Sequence, residues 1–497
     1  MRELAAHKLA GLRGPLVLAF LYAVPSVLWA ATAPLDTRFD GRFQTLTSLA
    51  VLLAYTGTAA FALNLVLGAR LRVVEALFGG LDRMYRAHRV NGQLAFALLL
   101  GHVVLILASR ATISASTAID LLMPGAGWTV FAGVLAFTGM TVAIALTVFV
   151  RLGHEVFVYV QRSFGVVFLG ATYHVFTSSG PRADSRALNL YLATLATLGI
   201  AAFVYRSVLG SLLVRRRGYR VTGVNRLDEH VTEFELEPVG QPLAFTPGQF
   251  VFVCFHSPAL DQQFGLLLRN QFHPFSITSA PDEGSLRITV KAVGDYTRAM
   301  RLLEPGAEAV VEGPYGSFGS LDATNERQVW IAGGIGVTPF LSMARSSNGA
   351  GPAVDFYYCV EREPEAHFVD ELGSIARERE DFRVVLVPRD TDGFLTGERL
   401  AAENEGLATA DVLICGPPAM IDSLRPQLAA RGVARERFHA EEFGFAKIGR
   451  PRTSEELSPS ALRSDPKLLA SLFAVAFAGP ALAIGLLVGT YLLARGP

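Results

Sequence analysis

Cysteine is nearly missing from this chain: Cys254, Cys359 and Cys415 stand far apart among 497 residues. Three such residues cannot supply the four thiolates of an ordinary iron–sulfur cluster, nor a disulfide framework. Any redox chemistry would need an organic cofactor or haem. Charge is also scarce. Only 18% of residues are charged against 51% hydrophobic, with a mean hydropathy of +0.37, which is too apolar for an ordinary soluble enzyme. The 44 Lys and Arg balance the 44 Asp and Glu, so no net basic surface points to nucleic acid.

What the chain does have is long apolar runs. Runs of about 20 residues, enough to cross a bilayer, fall near 13–33, 46–68, 90–109, 127–150, 156–177 and 188–213. The first is too long, and too soon followed by others, for a cleaved signal peptide. Basic residues crowd one side: Arg2, Lys8 and Arg13, then Arg70, Arg72, Arg83, Arg86 and Arg89, then Arg151 and Arg162, and finally Arg215, Arg216, Arg217 and Arg220. The opposite connections are poorer, though they hold Arg38, Arg42, Arg110, Arg182 and Arg186. The positive-inside rule places the N-terminus and everything after Arg215 in the cytoplasm. A bacterial inner membrane suits such a chain.

Five segments follow: a helical membrane domain over 1–215, a β domain over 216–322, an α/β domain over 323–445, a polar linker over 446–466 and a seventh apolar helix over 467–497. The β domain alternates apolar and polar residues ("EHVTEFELEPV", "SLRITVKAV"), as an antiparallel barrel does. The α/β domain alternates strands ("RQVWIAGGIG", "AVDFYYCV", "FRVVLVP", "ADVLICG") with helical stretches, the rhythm of a parallel sheet.

Short motifs in these two domains carry chemistry. A flavin needs an aromatic wall, donors to its ring nitrogens and backbone N–H groups at its pyrophosphate. The segment His273, Pro274, Phe275, Ser276 offers the first two, through Phe275 and Ser276. The stretch from Lys291 runs into a tight turn at Gly294, Asp295, Tyr296 and Thr297, which suits the third. Next, an apolar strand enters Gly333, Gly334 and Gly336, and Thr338 with Pro339 opens a helix. Glycines let backbone approach a pyrophosphate, and a helix N-terminus favours its charge. About 80 residues on, Cys415, Gly416 and Pro417 end another strand. Taken singly, each motif is as readily a strand entry or a turn. Beyond the second strand of this domain, Arg362 suits a 2′-phosphate and Glu361 a free ribose; both also fit plain solvated charges.

Histidine inside a membrane helix is costly and needs a partner. His88 and His102 are 14 residues apart, so on one helix they share nearly one face, separated by about 21 Å. His174 lies in the fifth run. A neutral imidazole is a good iron ligand, and a packing role is the plain alternative.

In order and content, the motifs of 216–445 resemble the ferredoxin–NADP reductase-like module. That resemblance implies FAD at Phe275 and Ser276, a nicotinamide dinucleotide at Gly333 to Thr338, and Cys415 beside the nicotinamide. It also implies that Phe443 or Phe445, in "EEFGF", covers the flavin. The six runs resemble the ferric reductase-like transmembrane domain of NADPH oxidases and metalloreductases. That family carries two histidines on its third helix and two on its fifth, stacking two b-type haems. His88, His102 and His174 match three of these positions, and Gln161 stands at the fourth. An outer haem on His102 and His174 is preserved by this match. An inner one would be held by His88 alone or with Gln161, or be absent.

The expected protein is a transmembrane NAD(P)H oxidoreductase, with NADPH favoured over NADH by resemblance to the membrane oxidases. Electrons would pass through FAD and one or two b-type haems to oxygen, a ferric or cupric chelate, or a periplasmic redox partner. A haem-free flavin reductase anchored in the bilayer, and a membrane redox sensor or assembly subunit, are the rival expectations.

Overall fold

The computed structural model describes residues 2–150, 154–179, 181–258, 271–319, 325–346 and 351–442. The linker at 446–466, the apolar run at 467–497, Phe443 and Phe445 lie outside them. The chain divides into two compact units, with the boundary between Val214 and Arg215, one residue from the change in composition.

Among the described residues, six helices are long and apolar enough to cross a membrane. They are α1 (Arg2–Ala30), α2 (Gly41–Gly68), α3 (Leu81–Ala111), α4 (Trp128–Phe149), α5 (His154–Thr177) and α6 (Arg186–Phe203). Half of the α2 span is buried, against 11–33% for the other five, so α2 is the hub of the bundle. Its small residues make that possible. Ala59, Ala60 and Ala62 are buried, and a Cβ on Gly199 of α6 would come within 3.0 Å of the Ala62 Cα. Such close backbone approach is how helices associate where lipid removes the hydrophobic drive.

The third apolar run is longer in the structure than hydropathy indicates. The 31 residues of α3 make a rod of roughly 46 Å, which exceeds the roughly 30 Å of hydrocarbon. It begins nine residues before position 90, and His88 and His102 therefore share one unbroken helix. Helices α2 and α3 pack antiparallel in heptad register. The Phe43 carbonyl meets Ser109 Oγ, the Ala50 carbonyl meets His102, and the Asn64 carbonyl meets His88. Steps of seven and fourteen residues on both helices keep one seam facing its partner.

The arginines on the sparse side have a local explanation. Arg182 donates to the carbonyls of Val175, Phe176 and Ser178 at the end of α5. Arg38 donates to the Trp29 carbonyl at the end of α1 (2.7 Å) and lies over the Trp29 ring. A guanidinium on orphan carbonyls answers the negative end of a helix dipole.

The second unit holds the expected pair of sheets. Strands β1 (Arg216–Arg226), β2 (Val231–Pro238), β3 (Phe250–His256), β4 (His273–Ser276), β5 (Leu286–Lys291) and β6 (Glu308–Tyr315) run antiparallel in the order β4-β3-β6-β1-β2-β5. A bridge from Ile277 to Ile288 brings the two edge strands together into a near-barrel. Alternation along β2 puts Phe234 and Leu236 in its core and Glu235 outside. The second sheet is parallel, in the order β11 (Phe438–Glu442), β10 (Asp411–Gly416), β7 (Arg327–Gly333), β8 (Ala353–Val360) and β9 (Phe382–Pro388). Strand order reverses at β7, with β8 on one side and β10 on the other. The crevice at the carboxyl ends of strands at such a reversal is where open α/β sheets bind ligands.

Candidate functional site

The glycine turn after β7 and the Cys415–Gly416–Pro417 segment after β10 meet in that crevice, backbone against backbone. A Cβ on Gly336 would lie 2.6 Å from the Cys415 carbonyl carbon. One on Gly333 would lie 2.8 Å from Pro417 Cδ and Met420 Sδ, and one on Gly416 would lie 3.1 Å from the Gly333 Cα. Three of the four glycines therefore serve the contact between the two strand ends. Gly334 differs: its φ is +54° and a Cβ there would meet nothing within 4 Å, so it faces open space. Thr338 is buried and donates to the Ile335 carbonyl (3.0 Å), and Pro339 sits in the first turn of α7 (Thr338–Arg345), where its missing N–H is harmless.

Cys415 is fully buried in the core of the parallel-sheet domain. Burial, with the Glu441 carboxylate beside it, pushes the thiol well above its ordinary pKa. This setting differs from the electropositive, accessible one that activates a nucleophilic thiol.

On the barrel side, Phe275 and Ser276 are buried at the end of β4, and Ser276 pairs with Phe250. The His273 ring stacks on Tyr296 at 3.8 Å. In the turn after β5, Thr297 Oγ accepts from the N–H groups of Val293 and Gly294 (2.9 Å each). Those two donors are taken up inside the turn, so phosphate contacts would fall to the N–H groups that follow. Lys291 is exposed at the end of β5. Sequence reasoning singled out the Gly248–Gln249 turn ahead of the flavin motif but missed the 312–319 segment that packs on it. Gly248 (φ +87°) packs on the Phe318 carbonyl, and Gln249 donates to the Gly316 carbonyl (3.0 Å). The signal was present in "EGPYGSFG", whose Gly316 and Gly319 both have positive φ.

Helix α7 brings the two domains together. Ser342 Oγ donates to the Ser279 carbonyl (2.7 Å), and Arg345 Nη1 donates to the Thr278 carbonyl (2.7 Å). Arg345 also pairs with Glu371 in a two-pronged bridge (2.6 and 2.8 Å) and lies 3.5 Å from Glu233 of the barrel. Burial works against its charge, yet the Glu371 bonds and the two carboxylates hold its pKa above the ordinary value. The helix that opens at the glycine turn is thus fastened to the segment just after Ser276. Arg345→Gln should loosen that fastening. Breaking a buried pair costs roughly 3–5 kcal/mol, and the lower end applies because Glu371 is 40% exposed. Thermal unfolding with flavin retention checks it.

A cleft opens between the domains on the side of Gly334, lined by Asp228, Lys291, Gly334, Tyr358, Glu365 and His367. His367 donates across it to Asp228 (2.7 Å). Burial opposes ionisation of Asp228, but the N–H bonds from His230 and Val231, with His367, hold its carboxyl below the ordinary value. At the carboxyl end of β8, Arg362 pairs with Glu365 (3.1 Å) and Glu361 with Arg389 (2.9 Å).

The membrane unit brings His102 of α3 and His174 of α5 together, with ring centres 6.4 Å apart. That spacing leaves room for one metal ion between the two imidazoles, at bonds of about 2 Å. The Nδ1 atoms of His88, His102 and His174 lie 3.0, 2.9 and 2.8 Å from the carbonyls of Asn64, Ala50 and Thr129. A carbonyl only accepts, so each Nδ1 carries the proton and each Nε2 keeps its lone pair. Gly133 of α4 gives His174 its room: a Cβ there would lie 2.8 Å from the imidazole Cγ and Nδ1. Gly133→Ala is expected to push the ring off the Thr129 carbonyl and change the absorption of any haem bound there, which reduced-minus-oxidised spectra will read.

Among the described residues, His88 has no such counterpart. On an ideal helix Gln161, 13 residues from His174, lies about 140° around the axis from it, on the side where Phe164 and Phe168 pack against Phe61. The positions that return to the His174 face are Val160 and Ser163, and neither is an iron ligand of useful strength. Beside His88, Asn91 donates to Asn64 Oδ1 (3.0 Å) and to the Ala60 carbonyl (2.9 Å), and accepts from Tyr22. The chemistry of the donor set fits one haem between His102 and His174.

Residues 53–172 match the family described as ferric reductase like transmembrane component. Residues 217–318 match an FAD-binding domain, and 330–425 an oxidoreductase NAD-binding domain. Together these three matches give the chain the domain set of a ferric reductase-like membrane oxidoreductase. Its six apolar helices and that transmembrane component make it an integral membrane protein. The reductase component of propane 2-monooxygenase from Rhodococcus jostii (strain RHA1) is 25% identical over 264 residues, covering 50% of this chain and 69% of that protein. A flavohemoprotein of Bordetella pertussis is 30% identical over 257 residues, covering 47% of this chain and 61% of the flavohemoprotein. The FAD/NAD-binding domain of nitric oxide dioxygenase from Vibrio cholerae O1 biovar El Tor aligns at a TM-score of 0.39 and 24% identity, covering 46% of this chain and 98% of that structure.

Proposed function

We propose that this ferric reductase-like protein oxidises NAD(P)H on FAD at the cytoplasmic face and delivers the electrons across the bilayer to an acceptor on the far side. Oxygen, a ferric or cupric chelate, and a periplasmic redox partner are the acceptor classes. Bound in the reductase unit, FAD would take up a hydride and release its electrons singly, and a b-type haem held by His102 and His174 would supply one-electron transfer. The observation that supports the transmembrane route is the His102–His174 pair, with ring centres 6.4 Å apart and each Nε2 left with its lone pair.

The protein's own residues hold and orient. Thr129, Ala50 and Gly133 fix the rotamer and tautomer of the two histidines, which raises their basicity as ligands. Arg182 clamps the end of α5, and the Ser178 Oγ donor to the His174 carbonyl (2.6 Å) secures the same turn. In the reductase unit, Gly334 leaves the β7 turn open towards the dinucleotide, and α7 ties that turn to the flavin strand through Ser342 and Arg345.

Sealed vesicles test this reading. With the reductase unit facing outward and ferricyanide trapped inside, NADH or NADPH added outside should reduce the trapped acceptor. Reduction confined to acceptors on the nucleotide's own side would make the protein an anchored flavin reductase.

A further inference from the structure

The carboxyl edge of the parallel sheet carries an exposed aromatic side chain that the reductase motifs do not explain. Phe394 follows β9 and is 74% exposed. Gly393, at φ +73°, turns the chain just before it. The Arg389 guanidinium lies over the Phe394 ring, 4.8 Å from its centre, and the same guanidinium bonds Glu361 Oε2 at 2.9 Å. Glu361 is the first residue after β8, and the two loops are joined by the Asp390 N–H on the Glu361 carbonyl (3.2 Å). A single exposed apolar side chain needs no explanation by itself. Here, however, an aromatic ring, a guanidinium and a carboxylate converge where an α/β sheet binds nucleotides.

We infer that this corner seats the adenosine end of the dinucleotide and selects NADH over NADPH. Adenine stacks on Phe394, whose ring is held by Arg389. Glu361 accepts from the ribose hydroxyls, as a carboxylate at the end of the second strand can. A 2′-phosphate would meet Glu361, Glu363, Glu365 and Asp390, against Arg362 and Arg389, and both arginines already pair with one of those carboxylates. The local field therefore repels the extra phosphate. Sequence resemblance to the membrane oxidases favours NADPH, and the charges at this corner favour the other nucleotide. The inference rests on the NAD-binding assignment of residues 330–425 and is independent of the haem route.

Titration calorimetry of the oxidised, FAD-loaded full-length protein with NAD⁺ and with NADP⁺ tests it, since neither nucleotide turns over on oxidised flavin. The wild type should bind NAD⁺ about ten-fold more tightly, a difference of about 1.4 kcal/mol. Glu361→Ala should bring the two affinities to within about two-fold. Phe394→Ala should weaken both by about ten-fold and leave their ratio alone, because stacking does not sense the ribose phosphate. Tighter binding of NADP⁺ by the wild type, or an unchanged affinity for both nucleotides in Phe394→Ala, would overturn the assignment. Failure of the transmembrane route would leave these affinities as they are, so the two ideas fail separately.

Discussion

His174→Ala should leave a protein that binds FAD and is reduced by NAD(P)H, but that has lost haem at the His102 site and at least about 100-fold of its trans-side reductase rate, since a conducting path with one ligand removed is broken rather than weakened. Two observations set this expectation. The His102 and His174 rings lie 6.4 Å apart, and each is held by a carbonyl of a different helix, Ala50 on α2 and Thr129 on α4. Alanine removes one of two ligands and leaves the cavity beside Gly133 larger. The flavin is held in a separate compact unit, so its reduction reports that the rest of the protein is intact. Stopped-flow bleaching of FAD, set against the Soret band and trapped-acceptor reduction, separates the outcomes. An unchanged trans-side rate would remove these histidines from the route.

Gly336→Ala is the second large effect, and it falls on the other unit. The added methyl would press on the Cys415 carbonyl and lie 3.0 Å from the Gly416 N. Both are backbone of β10 and its turn, and β10 pairs with β7 and β11 in the middle of the sheet. No side chain can swing aside. The cost should exceed the roughly 1–3 kcal/mol of ordinary overpacking, which is a large part of a domain's stability of about 5–15 kcal/mol. Loss of dinucleotide binding and a separate low-temperature unfolding step are the expected readouts. Gly334→Ala is the control: nothing crowds its Cβ, and the strain of its φ of +54° should cost only about 1 kcal/mol. Equal damage from both changes would mean that the glycine turn is limited by backbone conformation rather than by contact with β10.

Much of this architecture is legible from patterns of short range. Apolar runs marked the six spans, alternation marked the barrel, and the order of motifs marked the reductase. These are properties of neighbouring residues, and the family matches over 53–172, 217–318 and 330–425 agree with them. Contacts between distant segments were not legible. The burial of Cys415 depends on strands on both sides of β10, so its place in the core of the sheet was not legible from the motif. Arg345, which fastens the two reductase domains, sits at an unremarkable helix end whose partners lie 26 to 112 positions away. Gly133 is one of several glycines in an apolar run until α5 is laid against it. The start of α3 was also hidden, because polar residues at 81–89 end the hydropathy signal while the helix continues beyond the bilayer.

The haem-to-FAD ratio of the purified protein, with the spin state of the haem, tests the central claim most directly. The His102–His174 geometry, and the lack among the described residues of a matching ligand on the His174 face opposite His88, predict one low-spin haem per FAD, bleached by NAD(P)H without oxygen. Protein fully loaded with FAD but lacking a Soret band would contradict the account.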